Sequence, residues 1–255
     1  MFKEINLRNH SSLHKLFYSL TIEALHNFPK IEKKCNLGTE IIKTIKNENF
    51  ILHNNDVLCI ASKLISKSEG LFVDLKSINP SQLALCLHQQ IPRKDPRLIQ
   101  IIIDQTSDKS GKKLQISKDF IGGWLPNGLF LTSAGVDKID ADTAVVLPEN
   151  CDEIAQRISD DIFDQLKVRV AVIITDSDGR IDKKGATQVA VGLYGISGIR
   201  KSQHEDKTSV ETICDMLAAS AGLLMGQKGK MLPIVKIHGI DYVFDKSATI
   251  RDAVN

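Results

Sequence analysis

The chain lacks the features that would assign it to a membrane, to nucleic acid or to an oxidising compartment. No apolar run in its 255 residues approaches the roughly 18 residues needed to cross a bilayer. The N-terminus has neither the apolar core nor the small-residue cleavage site of a signal peptide. Lys and Arg total 33 against 31 Asp and Glu, so the net charge is only +2. That balance favours neither nucleic acid nor an anionic membrane as a partner, and we expect a cytoplasmic protein.

Cysteine and histidine are too scattered to predict a disulfide framework or a zinc site. The five cysteines are far apart and never occur in a CxxC spacing, so we interpret them as inert thiols. Of the seven histidines, only His10 and His14 have an HxxxH spacing, and no third histidine or cysteine lies near them in the sequence, so we predict no zinc site. The phosphate-loop motif GxxxxGK[ST], the dinucleotide motif GxGxxG and the hydrolase motif GxSxG are absent as well.

Apolar residues make up 42% of the chain, enough for a sizeable core. Residues 57–61 and 168–175 are mostly apolar and rich in β-branched side chains, which is typical of strands buried on both faces. Because strands and helices do not alternate regularly, we predict an α+β fold with mixed or antiparallel sheets and packed helices. Further strands are expected at 129–132, 143–147, 188–194, 233–237 and 241–244, and helices at about 38–48, 80–90, 95–106, 151–166 and 209–225.

Local patterns also predict where elements begin and end. Thr208 and Glu211 have capping-box spacing and predict the start of the last helix, with Val210 on its apolar stripe and Gly226 at its end. The polar, Lys-rich segment 104–123 is interpreted as a flexible lobe or as the junction between two subdomains. Residues 1–23 are interpreted as an extension that precedes a main domain over 24–245.

Two predicted strand ends carry acidic residues typical of a metal site. The strand 168–175 stops at the acid–hydroxyl–acid–glycine segment 176–179, and Asp176 and Ser177 suit a hard cation such as Mg²⁺ or Mn²⁺. A second short strand breaks at small residues before Asp137, so two carboxylates from distant segments could share metal ions that hold a phosphate chain. Taken alone, each segment also fits an ordinary solvated turn.

Two further segments carry lysines. Lys63 and Lys67 follow the strand 57–61 and point the same way on a helical turn, which fits either a phosphate cradle or a solvated helix end. Residues 225–230 form a glycine-rich turn after a helix, and by itself this pattern is more typical of a helix C-cap than of a ligand loop.

In this order, the segments resemble the coenzyme F420:L-glutamate ligase family over roughly residues 24–238. The resemblance implies that family's fold, with two intertwined subdomains, and a homodimer. KDPRL, AGVD and the ITD–GR block together make it specific. The matching motifs are NFPKI at 27–31, DVLCIASKLISKSEG at 56–70, KDPRL at 94–98, AGVD at 134–137, LPE at 147–149, ITDSDGR at 174–180, VAVG at 189–192 and MGQ at 225–227.

The resemblance implies a ligation driven by GTP or ATP with Mg²⁺ or Mn²⁺. A carboxylate of the acceptor is phosphorylated, and the amino group of L-glutamate then displaces phosphate to form an amide. Lys67 and Asp176 are the implied catalytic residues. The implied metal ligands are Asp137, Asp176, Ser177 and Gln227. The implied nucleotide contacts are Asn27, Phe28, Pro29, Lys30, Ser62, Lys63, Lys67, Asp140, Met225, Gly226, Gln227, Lys228, Gly229, Lys230, Met231 and Leu232.

The chain departs from the family pattern at Ser133 and Asp140, where asparagine is usual, and in segments 181–188 and 203–207. An extra carboxylate at Asp140 would repel a triphosphate without an offsetting cation, so GTP and ATP both stay open. The altered segments suggest a changed acceptor, either a coenzyme F420 precursor or a folate-type pterin. Two alternative functions remain, a family member that binds a nucleotide or metabolite without catalysis, and a two-metal phosphate-ester hydrolase.

Overall fold

The computed structural model describes residues 19–204, 207–227 and 229–255. At its centre lies a five-stranded sheet in which the third and fourth strands run parallel and the other neighbouring pairs are antiparallel. From edge to edge, the strands of this central sheet are β1 (Thr21–Ala24), β13 (Ile234–His238), β2 (Val57–Ala61), β9 (Ala171–Arg180) and β10 (Lys183–Tyr194).

Both faces of the central sheet are covered, as the continuous apolar runs predict. Successive side chains of a strand point to opposite faces, so Leu58 and Ile60 enter one hydrophobic cluster while Val57 and Cys59 enter another. The first cluster is covered by helices α1 (Leu37–Asn47) and α5 (Cys151–Leu166), and the second by α6 (Ile213–Met225). The prediction of strands buried on both faces is confirmed.

Smaller antiparallel sheets surround this core. Their presence confirms the predicted α+β class with mixed and antiparallel sheets, whereas the division into subdomains stays a prediction. The strands are β3 (Phe72–Asp74), β8 (Thr143–Val146) and β7 (Val136–Lys138) in one sheet, β4 (Leu114–Ser117), β5 (Phe120–Trp124) and β6 (Phe130–Thr132) in the next, and β11 (Arg200–His204) with β12 (Lys207–Glu211) in a two-stranded ribbon. The remaining helices are α2 (Ser62–Ser68), α3 (Gln82–Gln90) and α4 (Pro96–Gln105).

The predicted start of the last helix is wrong. Thr208 and Glu211 lie in strand β12, and α6 begins only at Ile213. Pairing of β12 with β11 brings Glu211 opposite Arg200, whose Nε donates to the Glu211 carboxylate at 2.8 Å. Val210, expected on the helix stripe, is 59% exposed on this ribbon. The predicted helix end is confirmed, since Gly226 follows α6 with a φ of 62°.

One of two other segments differs from its prediction. Residues 241–244 form no strand, and the adjacent Asp245 makes an isolated antiparallel bridge to Gly195. Instead, the Phe244 ring packs edge-on against Tyr194, with ring centroids 5.7 Å apart. Segment 104–123 contains β4 and most of β5, which pair as an antiparallel hairpin, and its interpretation as a flexible lobe or a subdomain junction stays a prediction.

Among the described residues, no helix has both the length and the apolar content that crossing a membrane requires. The five cysteines are free thiols. Burial raises the pKa of Cys151 and of Cys214 to about 12, which keeps both thiols protonated and supports their interpretation as inert core residues.

Candidate active site

A cavity of about 440 Å³ opens where β2 ends and its pairing with β9 stops. Because these parallel strands pair Ala61 with Thr175, the residues that follow, Ser62 and Asp176, stand side by side at one edge of the sheet. The cavity brings together most of the residues predicted from the sequence. Those that line it are Phe28, Pro29, Lys30, Ser62, Lys63, Lys67, Asp137, Asp176, Ser177, Met225, Gly226, Gln227, Gly229, Met231 and Leu232.

Three predicted nucleotide contacts are not among the residues that line this cavity. The Asn27 amide donates to the Glu48 carboxylate at 3.1 Å. Asp140 lies in the turn between β7 and β8, where its carboxylate accepts a backbone hydrogen bond from Asp142 at 3.0 Å. Lys230 lies over the Gly226 Cα, and Lys228 falls outside the described residues. The cavity thus offers no support for a nucleotide contact by Asn27, Asp140 or Lys230.

Asp176 carries the most perturbed carboxylate of the cavity. The Ser62 hydroxyl donates to Asp176 Oδ1 at 2.7 Å and favours the charged form. Burial outweighs that hydrogen bond and, together with the nearby Asp137 carboxylate, raises the pKa of Asp176 to about 6. Asp137 in turn pairs with Lys63, whose Nζ lies 3.1 Å from Asp137 Oδ2. The two carboxylates therefore face one cavity, where a cation would offset their repulsion.

The predicted turn at 176–179 is wrong, although Asp176 at its start lines the cavity. Strand β9 continues to Arg180, and Ser177 pairs with Gln188 of β10. The long partner strand satisfies the backbone hydrogen bonds that a turn would otherwise leave open. Asp178 has a separate role, because its Oδ1 accepts hydrogen bonds from both the backbone N–H and the hydroxyl of Thr132, each at 2.7 Å.

The chain reverses just before Asp137 through an unusual backbone segment. Ser133, Ala134 and Gly135 all have positive φ angles, of 56°, 48° and 70°. A Cβ on Gly135 would lie 2.7 Å from the Cβ of Leu147, so only glycine fits at this point. The AGVD motif therefore has a physical basis, since it turns the chain tightly and delivers the Asp137 carboxylate to the cavity.

The end of α6 closes the cavity from another side. Ser177 Oγ donates to Gln227 Oε1 at 3.1 Å, and Thr175 Oγ1 donates to the Met225 sulfur at 3.6 Å. Two carboxylates, one hydroxyl and one amide thus present oxygen atoms to the same space. Oxygen donors of this kind suit a hard divalent cation such as Mg²⁺ or Mn²⁺, so the residues fit the predicted metal.

Three lysines add positive charge to the cavity. Lys63 and Lys67 lie on α2 and both line the cavity, as their spacing predicts. Lys63 pairs with Asp137, and Lys30 pairs with Glu32 at 2.6 Å. Across the described chain, no carboxylate lies within 4.0 Å of the Lys67 amine. Burial, together with the positive charges of Lys63 and Lys30, lowers the pKa of Lys67. A bound anion would stabilise the charged form of this lysine.

Sequence reasoning missed two residues at or beside the cavity. Lys94 of the KDPRL motif donates to Ser133 Oγ, and burial together with Arg93 lowers its pKa to about 8. Its positive charge also interacts with the Asp137 carboxylate, although Lys94 itself does not line the cavity. The KDPRL motif was the sequence feature that could have pointed to Lys94. Gln188 lines the cavity from the middle of β10, and no sequence pattern distinguished it.

The chain is similar to known proteins over most of its length. A model of the family described as F420-0:Gamma-glutamyl ligase matches residues 26–239. The coenzyme F420:L-glutamate ligase of Methanocaldococcus jannaschii is 34% identical over 201 residues, which cover 76% of this chain and 79% of that protein. Its counterpart from Methanococcus maripaludis strain C6 is 33% identical over 235 residues, which cover 86% and 92%. The counterpart from Methanopyrus kandleri is 31% identical over 219 residues, which cover 82% and 84%. With a match over most of its length, the chain belongs to the F420-0:gamma-glutamyl ligase family.

Proposed function

We propose that the protein is a γ-glutamyl ligase that joins L-glutamate to a carboxylate of a small-molecule acceptor and consumes a nucleoside triphosphate. The observation that carries this proposal is the meeting of Asp137 and Asp176 with Lys63 and Lys67 in one cavity. Phosphoryl transfer needs both oxygen ligands for divalent cations and cationic groups for phosphate oxygens. Relatives named coenzyme F420:L-glutamate ligases support the type of reaction.

The metal would be held by the oxygen-donor group of the cavity. Asp137 and Asp176 supply charge, while Ser177 and Gln227 supply neutral oxygens. When bound, Mg²⁺ or Mn²⁺ neutralises phosphate charge and makes the terminal phosphorus more electrophilic. The hydrogen bond from Ser62 holds Asp176 in the orientation from which its carboxylate can serve as a ligand.

The nucleotide would lie between α2 and the turn that follows α6. Lys63 and Lys67 are placed to hold phosphate oxygens, and Lys67 is the amine available for the terminal phosphate. Phe28 and Met225, with neighbouring apolar residues of the lining, provide a wall against which a base can pack. GTP is our first expectation, and ATP remains the second.

The reaction needs no side-chain nucleophile. An oxygen of the acceptor carboxylate attacks the terminal phosphorus, the bond to the bridging oxygen breaks, and nucleoside diphosphate leaves. The amine of L-glutamate then attacks the acyl phosphate carbon, the C–N bond forms, and inorganic phosphate leaves with the electrons of the C–O bond. The proton lost by the amine can pass to the departing phosphate. Lys67 stabilises the charge that builds up on the transferred phosphoryl group.

The acceptor remains one of two classes, a coenzyme F420 precursor or a folate-type pterin. Of the segments that depart from the family pattern, residues 181–187 form the turn between β9 and β10 and the start of β10, and Gln188 lines the cavity. His204 ends β11 and Lys207 begins β12, while residues 205–206 lie outside the described residues. We infer that these segments contribute to acceptor choice. The homodimer and the cytoplasmic location expected from the sequence belong to the same proposal, and sedimentation equilibrium should give twice the mass of one chain.

The test is incorporation of labelled L-glutamate by the purified protein with Mn²⁺ and either GTP or ATP. The acceptor is F420-0, dihydropteroate or none, and the Asp176→Asn variant is the matched control. Incorporation that requires one acceptor and is lost in the variant supports the ligase. Nucleotide binding without turnover favours the binding protein, and phosphate release from p-nitrophenyl phosphate favours the hydrolase.

A further inference from the structure

A second group of metal-ligating side chains lies at the other end of the central sheet. His53, Asp56 and His238 each offer one ligand atom, and these three atoms lie within 4.8 Å of one another. Asp56 directly precedes β2, whereas Ala61 at the opposite end of β2 lines the cavity. At about 3.3 Å per residue, the two places are roughly 16 Å apart. The cluster is therefore separate from the proposed ligation site.

Strand register brings the most distant ligands together. Although 182 residues separate Asp56 from His238, β2 and β13 pair antiparallel with Val57 opposite Ile237. The next residues along each strand, Asp56 and His238, therefore face each other and point to the same side. Spacing along the chain predicted no zinc site because this pairing is invisible in a linear search for His pairs.

His53 is held by a tight turn before β2. Its backbone N–H donates to Asp56 Oδ2 at 2.8 Å, and the Asp56 N–H donates back to the His53 carbonyl at 3.2 Å. Asn55 within this turn has a φ of 66°, a conformation that asparagine tolerates. The turn is also tied to the segment between α5 and β9, since the Arg169 N–H donates to the Asn54 side chain at 2.8 Å. All three ligands thus stand on a backbone that is already ordered.

The distances suit a single ion. His238 Nδ1 lies 2.6 Å from Asp56 Oδ1, and His53 Nδ1 lies 3.8 Å from Asp56 Oδ2. Ligand atoms on one tetrahedral zinc ion lie roughly 3.4 Å apart, between these two values. The Asp56 side chain is fully buried, whereas the side chains of His53 and His238 are 58% and 48% exposed. The carboxylate is shielded from solvent, whereas the two imidazoles beside it are accessible.

A plain hydrogen-bonded pair between Asp56 and His238 explains only part of this arrangement. It does not require a second imidazole, yet the His53 ring lies 5.0 Å from that of His238, and its Nδ1 faces the same carboxylate. The nearest lysine on β13 does not compete for Asp56. Lys236 donates to the Ile51 carbonyl at 2.8 Å and pairs with Glu23 at 2.6 Å.

We propose that His53, Asp56 and His238 form a binding site for a borderline transition-metal ion, with Zn²⁺ as the first candidate. Two imidazole nitrogens and one carboxylate oxygen are ligands that such ions prefer, and they leave a fourth position for water. Binding displaces to solvent the proton shared by His238 and Asp56, while Asp56 Oδ2 keeps its bond to the His53 N–H. The ion would clamp the turn before β2 to the end of β13 and so stabilise the central sheet.

The experiment titrates chelator-treated full-length protein with Co²⁺ and Zn²⁺, using the Asp176→Asn background to weaken metal binding in the cavity. We expect one Co²⁺ per chain with visible absorption bands, and displacement of these bands by Zn²⁺. His53→Ala and His238→Ala should each weaken Zn²⁺ binding by at least about 100-fold, because each removes a direct ligand and loss of an outer-shell partner alone costs up to about 100-fold. His26→Ala, a change at another exposed histidine, is the matched control and should bind Zn²⁺ as tightly as the background protein.

Thermal unfolding gives an independent measurement. Zn²⁺ should raise the melting temperature of the Asp176→Asn background and of the His26→Ala control, but not that of His53→Ala or His238→Ala. Unchanged Zn²⁺ affinity in both of these variants, or no binding to the background protein, would overturn the proposal. Near-ultraviolet circular dichroism checks that each variant is folded. Because no measurement depends on glutamate ligation, the outcome is independent of the proposed function.

Discussion

At the scale of the residue, Asp176 combines burial with a neighbouring carboxylate. Its pKa of about 6 exceeds the ordinary value of 3.8, so the folded protein holds this proton more tightly than the unfolded chain does. Without metal, the contribution of Asp176 to the free energy of unfolding therefore rises as the pH falls from above 6 towards 4. Buried Asp152 and Asp215 also have raised pKa values and act in the same direction.

Asp176→Asn should remove the part of this pH dependence that belongs to Asp176. In a metal-free buffer we expect the variant to be more stable than the parent protein at pH 7.5, on the order of 2 kcal/mol, and by much less at pH 4.5. Urea unfolding at the two pH values measures the difference, and the contributions of Asp152 and Asp215 cancel because both proteins contain them.

The same variant should lose metal-dependent glutamate incorporation, whereas Asp164→Asn on the exposed face of α5 should keep it. Full turnover in Asp176→Asn would remove this residue from the site.

Protonation of Asp176 should also weaken metal binding. Because a proton and a cation compete for the same carboxylate, Mn²⁺ affinity should fall as the pH drops through 6. Isothermal titration of Mn²⁺ at pH 7.5 and pH 5 tests this expectation. Equal affinity at both values would show that Asp176 is not a ligand.

Lys67→Ala should raise the KM for the nucleotide about tenfold or more, since one charge-assisted contact to a phosphate is worth about 1.5–3 kcal/mol. Initial rates at varied GTP and ATP concentrations measure the change. Lys43→Ala on the exposed side of α1 makes the same substitution outside the cavity and should leave the KM as it was. A normal KM in Lys67→Ala would contradict the phosphate role of this lysine.

At the scale of the element, local patterns predicted helices better than they predicted the ends of ribbons. The helix 151–166 was predicted with its observed bounds, because its Ile and Leu spacing matches one buried face. Thr208 and Glu211 show the limit of such reasoning. Despite their capping-box spacing, both residues pair with β11 as part of β12. This pairing depends on the partner strand rather than on the segment itself.

The contact between α5 and β10 offers a test at this scale. Gly192 lies opposite the start of α5, where an added Cβ would come within 2.3 Å of the Cys151 Cβ and 2.8 Å of its carbonyl carbon. The Leu193 N–H donates to the Asp152 carboxylate at 2.7 Å and holds the helix close to the strand. Gly192→Ala must push the helix away and should lower the free energy of unfolding by about 2 kcal/mol or more.

Chemical denaturation measures that loss, with Gly179→Ala as the matched control. A Cβ on Gly179 would lie 3.4 Å from Thr132 Oγ1, an ordinary van der Waals distance, so this change should cost far less. Equal losses in the two variants would mean that the close approach of α5 to β10 does not limit the side chain at position 192.

At the scale of the whole molecule, bound ligands should stabilise the folded state. The cavity is built from segments far apart in the chain, among them α2, β9 and the turn after α6, so a ligand that contacts all of them binds only the folded protein. Nucleotide with Mn²⁺ at about 100 times its dissociation constant should add about 2.7 kcal/mol. Thermal unfolding should show a higher melting temperature with both ligands, and a much smaller increase for Asp176→Asn.

Sequence reasoning alone reached the α+β class, the strands buried on both faces, the family and most of the residues that line the cavity. These depend on composition, periodicity and short motifs, which are local properties of the chain. Tertiary structure was needed to place Asp137 and Asp176 in one cavity. It also showed that the charge of Lys94 acts on Asp137 and that Asp140 is not part of the cavity lining. The contact between His238 and Asp56 likewise appeared only in the folded structure. The physical reason is that strand register and side-chain direction arise from pairing between distant segments, and no local pattern encodes which segments will pair.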